Sequence, residues 1–197
     1  MTIKSKTLRK VIIKFDSCFR KFYSKFFFYI VWAFYIRWNI SEEDITKAKE
    51  TWDDIYNSPT LSDYQTKLYQ YEWKSDALKG LYDMTYDYVW LNFIPSVVEK
   101  FGRDCDDFAE MTYRWMNRVG YSEVVQVLYT PADLKHAHFV VMGKQNPNDN
   151  FIVKSNYSYA RQTSFSNYKE AIEEYLSKTE ECVNDIVWIV YRKETNQ

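Results

Sequence analysis

Glycine is scarce, with four in 197 residues. They are too scattered to form a Gly-rich phosphate loop, which sets aside nucleotide chemistry of that kind. Cysteine is scarcer still. Cys18, Cys105 and Cys182 are odd in number and far apart, which excludes a disulfide framework and a CxxC metal knuckle and suits a reducing, cytoplasmic setting. Long apolar runs are also missing. The longest, Phe26 to Ile36, falls well short of the roughly 20 residues a spanning helix needs, and widening it to Phe22–Trp38 encloses Lys25. No small-residue cleavage pattern follows Ile36, so a signal peptide is not expected either. What the chain has in plenty is core-forming residues, 46% hydrophobic and 19% aromatic. That supports one compact domain with an appendage rather than disorder.

A formal charge of −1 conceals a strong asymmetry. Residues 1–40 carry nine Lys/Arg and one acid, Asp16; the remainder carries 17 basic and 26 acidic residues. Residues 1–40 therefore read as a basic, aromatic arm on an acidic body, residues 41–197. From Lys4 to Lys25 the arm is an amphipathic helix. Ile12, Phe15, Phe19, Phe22, Phe26 and Ile30 recur at three- and four-residue steps, with Lys10, Lys14, Arg20, Lys21 and Lys25 between them. Two readings stay open: an interfacial helix at a membrane surface, or a helix that packs on the body or on a second copy. The arm is too greasy for a nucleic-acid tail, so no nucleic-acid partner is expected.

The body opens with a helix from Ser41, capped by that serine and carrying acids in its first turn, which Asn57-Ser58-Pro59 ends. Leu61 to Tyr71 is mixed in pattern. Gly80 marks a loop, and Tyr88 to Lys100 returns to helical spacing with Pro95 inside it.

The chemistry concentrates further on. Gly102 breaks the preceding helix, Asp104 is a good N-cap, and Asp106 and Asp107 sit in the first turn of a new helix. Cys105, Phe108, Ala109, Thr112, Trp115, Met116 and Val119 then follow at helical steps, and Gly120 is a natural stop. A thiol at a helix start feels the helix dipole, which favours thiolate, and its backbone N–H can face a developing oxyanion. The flanking aspartates oppose ionisation, so a histidine is needed to activate it. Strands are expected at Glu123–Tyr129, at His136–Met142 with His136, His138 and Val140 on one face, and at Phe151–Val153, with turn residues across 143–150. Cys105, His136 and His138 are also zinc-type donors, but the one remaining cysteine downstream, Cys182, is distant, so no metal and no cofactor is expected.

Three pieces of this segment resemble the transglutaminase-like superfamily, in particular its bacterial and phage cysteine peptidases with a papain-type Cys–His–Asp/Asn core. They are Ser75-Asp76…Gly80…Asp83, Gly102-Arg103-Asp104-Cys105-Asp106-Asp107-Phe108-Ala109, and His136-Ala137-His138-Phe139-Val140-Val141. The resemblance covers roughly residues 70–157. It implies an α+β fold in which a nucleophile helix packs on a small antiparallel sheet, with Cys105 as nucleophile and His136 as general base. The family's orienting aspartate falls where this chain reads Ser155-Asn156, and a second glycine where Arg103 stands. Asn156 is the expected orienting group, with Ser155 as a weaker substitute. The expected activity is a thiol enzyme acting on an amide or peptide bond of a protein or peptide through a Cys105 thioester. A catalytically silent module for protein or membrane association is the alternative.

Downstream, Asn167 with Glu170 suggests a capping box for a helix over Tyr168–Lys178, with Ala171, Ile172, Tyr175 and Leu176 inward. Asp185 to Arg192 is apolar on both faces, as a central strand would be.

Overall fold

The computed structural model describes residues 5–31, 41–70, 104–131, 137–156, 158–179 and 185–195. The expected Gly80 loop, the helical pattern of Tyr88–Lys100 and the position of His136 lie outside them. The fold is mixed α+β. Among the described residues there are five helices, α1 (Lys6–Val31), α2 (Glu42–Tyr56), α3 (Leu61–Tyr69), α4 (Cys105–Arg118) and α5 (Tyr168–Thr179). Five strands, β1 (Glu123–Thr130), β2 (His138–Gly143), β3 (Ile152–Lys154), β4 (Arg161–Gln162) and β5 (Val187–Thr195), form one antiparallel sheet in the order β4-β3-β2-β1-β5. Two compact units divide the chain, one of Met1–Phe15 with Ala109–Gln197 and one of Asp16–Phe108. Among the described residues no helix is long and apolar enough to cross a membrane.

In the sheet unit, alternation along each strand sorts the side chains onto two faces. Val125, Val127 and Tyr129 of β1 and Val140 and Met142 of β2 project to one face. There they pack on Ala171, Ile172, Tyr175 and Leu176, the four inward positions of α5. The Asn167 side-chain oxygen starts that helix by accepting from the Lys169 backbone N–H at 2.9 Å. The opposite face carries the part of α4 from Ala109 onward. A methyl group added at Gly143 would meet Met116 Sδ and a Tyr121 ring carbon, each at 2.8 Å, so only glycine lets that helix come so close. Glu110 of α4, 2% exposed, binds Arg192 of β5 at 2.9 Å and Arg114 on its own helix at 2.8 Å. A buried carboxylate held by two guanidiniums is satisfied rather than stranded.

Gly120 ends α4 at φ +85, with Gly120 N–H donating to Asn117 O at 3.3 Å and Tyr121 N–H to Met116 O at 3.0 Å. These are the paired bonds of a Schellman stop, which needs a left-handed residue at that point.

β5 lies at the end of the described sheet rather than in its centre, which corrects the expectation from its sequence. Its apolar residues on both faces have another cause. Trp188 and Val190 join the α5 core, while Val187 and Ile189 pack with Leu128 against Ile13 of α1. Arg9, 2% exposed, donates to the Asp185 carbonyl just before the strand. The first turns of α1, through Arg9 and Ile13, thus pack on the face of β5 opposite α5. Phe15, which shares the helical row of large aromatics, is 73% exposed.

In the second unit, α2 and α3 bury Trp52, Ile55, Tyr64 and Leu68. The mixed stretch after Leu61 resolves as a helix because Thr60 caps it, its side chain accepting from Asp63 N–H at 3.2 Å. Lys67 then ties α3 to Asp54 of α2 at 2.8 Å.

Candidate active site

Cys105 is the first residue of α4, half-buried, and in no disulfide. The three aspartates around it build the helix start. Asp104 Oδ1 accepts from Asp106 N–H at 3.3 Å, and Asp107 Oδ2 accepts from Asp104 N–H at 3.2 Å. That is the reciprocal geometry of a capping box, and it fixes the first turn on which the thiol sits. Asp107 is 5% exposed, in keeping with this structural role. Asp104, Cys105 and Asp106 also place one donor atom each within 4.8 Å of one another. Three donors without an imidazole match no common zinc set, and the cap already accounts for the Asp104 carboxylate.

The candidate imidazole, His138, lies in the sheet unit. His138 opens β2, and its Nε2 lies 2.7 Å from Ser155 Oγ. The ring of Tyr129, directly opposite on β1, meets the imidazole edge-on with centroids 5.4 Å apart. The pairing register explains the contact. Val141 lies opposite Lys154, so Ser155 is one same-face step from His138, within diagonal reach. Asn156 does not share that face. It adopts φ 42, the left-handed conformation that asparagine tolerates, and ends the strand. Its side-chain oxygen is buried without a hydrogen-bond partner among the described residues. Of the two expected orienting residues, Ser155 is therefore the one joined to a histidine.

Lys154 completes this corner and was invisible as a site residue in the sequence. It is 1% exposed, and its ammonium donates to the carbonyls of Asn156 and Ser158, closing the turn that carries Ser155. Burial lowers its pKa to about 7. The clue available beforehand was its place at the end of a strand of apolar residues, immediately before the expected orienting pair.

The structure thus brings together His138, Ser155, Tyr129 and the Lys154 turn. It places Cys105 on a capped helix start in the other unit, and His136 lies outside the described residues. One further relation falls wholly within the sheet unit. The His138 side chain projects to the α5 face, whereas Glu110 and Met116 of α4 lie on the opposite face.

No known protein family, curated protein or solved structure matches the chain.

Proposed function

We propose that the protein is a transglutaminase-like thiol enzyme acting on an amide or peptide bond, with Cys105 as nucleophile, His138 as general base and Ser155 as the residue that orients it. The observation that carries this reading is the 2.7 Å bond between His138 Nε2 and Ser155 Oγ. A histidine fixed by a neighbouring side chain is what an activated cysteine requires, and Cys105 stands where a helix start favours thiolate. The choice of His138 over His136 follows the same bond.

In this mechanism the Cys105 thiolate attacks the carbonyl carbon, and the C=O electron pair moves onto oxygen. The Cys105 backbone N–H donates to that oxyanion. Collapse breaks the C–N bond, and the imidazolium hands its proton to the departing amine, leaving a thioester. Water or a second amine then attacks the thioester, gives a proton to the imidazole and releases the Cys105 thiolate, which restores the starting ion pair. Serine in place of a carboxylate orients the ring but offers no charge to the imidazolium, so a slower enzyme than one with an Asp is expected.

A second reading is favoured by the opposed placement of the His138 side chain and the body of α4: a catalytically silent module that keeps the fold for association. One experiment separates the two. The full chain is mixed with an activated ester, and release of the leaving group is followed alongside the mass of the protein. The enzyme reading expects a stoichiometric burst with acyl-Cys105, abolished in Cys105→Ser and slowed by about 100-fold in His138→Ala. Acylation at an equal rate with and without His138 would refute His138 as the base, and no faster acylation of Cys105 than of an ordinary thiol would establish the silent module.

A further inference from the structure

We propose that α1 is an interfacial helix that binds an anionic lipid surface through Leu8, Val11 and Phe15, with Lys14 beside them and Lys6 and Lys10 further round the helix towards the sheet unit. The proposal stands apart from catalysis and holds whether or not Cys105 reacts.

Three rows run along residues 6–15 of α1. Arg9 and Ile13 form the first, anchored on the sheet unit by the Asp185 carbonyl and by Leu128, Val187 and Ile189. Because that row is fixed, the helix cannot turn its other apolar side inward. That other side is Leu8, Val11 and Phe15, respectively 50%, 58% and 73% exposed. At helical spacing these three share one stripe, since seven residues from Leu8 to Phe15 make two turns. Lys6, Lys10 and Lys14, all exposed and four apart, run from the anchored side, where Lys6 and Lys10 line a cleft with Glu173 and Trp188, round to the stripe, which Lys14 adjoins. Lys10 also lies over the Trp188 ring at 5.3 Å, which holds that row at the edge of the sheet unit.

An exposed stripe of Leu, Val and Phe with lysine beside it is the pattern of a helix lying in a lipid interface. Charge selects the occupant. Nine Lys/Arg against one acid across residues 1–40 match an anionic surface. The lysines can reach phosphates while their alkyl stems continue the apolar surface.

The test is sedimentation of the full chain with vesicles of phosphatidylcholine alone and of phosphatidylcholine with phosphatidylserine. Binding to the anionic vesicles, weakened by high salt and weak on neutral vesicles, is expected. The Leu8→Ser/Val11→Ser/Phe15→Ser variant should lose at least about tenfold in partitioning, and Lys6→Gln/Lys14→Gln roughly fivefold per lysine. Both variants alter exposed side chains, so an unchanged thermal unfolding curve separates lost binding from lost fold. Absence of sedimentation with either vesicle overturns the proposal. So does a wild-type dimer that becomes monomeric in the triple variant without any vesicle binding, which would give the stripe to a second copy.

Discussion

Replacing Lys154 by methionine should remove a specific piece of pH dependence from the stability of the protein. The lysine is 1% exposed and its pKa falls to about 7, through burial, from the ordinary 10.5. Between those values the unfolded chain holds a proton that the native chain does not. Stability contributed by this group therefore rises as pH climbs from 7 towards 10.5, and is flat below 7. A shift of this size corresponds to about 5 kcal/mol. Urea denaturation from mildly acidic to mildly alkaline pH provides the assay, read as wild type minus Lys154→Met so that all other titrating groups cancel. Relative to the variant, wild type should gain about 2–3 kcal/mol across that span. Parallel curves, agreeing within about 0.5 kcal/mol at each pH, would refute the claim that Lys154 carries a buried, titrating ammonium.

Two glycines should respond for different reasons. Gly120→Ala meets no atom within 4 Å but keeps φ +85, so it should lower stability by about 1–2 kcal/mol through backbone strain alone. Gly143→Ala sits on ordinary strand backbone against Met116 and Tyr121, and should cost about 1–3 kcal/mol through crowding that Met116→Ala partly relieves; a double-mutant cycle by chemical denaturation checks this. Glu110→Gln weakens the carboxylate link between Arg114 and Arg192 and should destabilise by roughly 3 kcal/mol, with loss of the salt-insensitive part of stability in the same assay.

Much of this architecture was legible in the sequence because local signals agreed with tertiary ones. Asp104 as a cap, Gly120 as a stop, and the inward set of α5 each follow from chemistry contained within one element. The failures arise where a partner element decides. β5 has the composition of a central strand because α5 covers one face and α1 the other, and composition does not distinguish a covered edge from a middle. In the described part of α1 the aromatic Phe15 and Phe19 are exposed, while Arg9 and Ile13 pack on the sheet unit, since an arginine can be buried once a carbonyl receives it. The mixed reading of α3 reflects a buried side that includes Gln65 beside Tyr64 and Leu68. The expected base His136 lies outside the described residues and is not among these failures; strand register joins Ser155 to His138. That register was reachable from the turn residues 143–150 but was not fixed by the motif alone. Lys154 could not have been found by type, because charge ordinarily marks a solvated position.

The central claim is that His138 activates Cys105, and the most direct measurement is the pH profile of Cys105 alkylation in a Cys18→Ser/Cys182→Ser background, with and without His138→Ala. The account predicts reaction that persists well below the midpoint of an ordinary thiol, about 8.5, and a return to that ordinary profile when His138 is removed. A single profile with an ordinary midpoint in both proteins would contradict it.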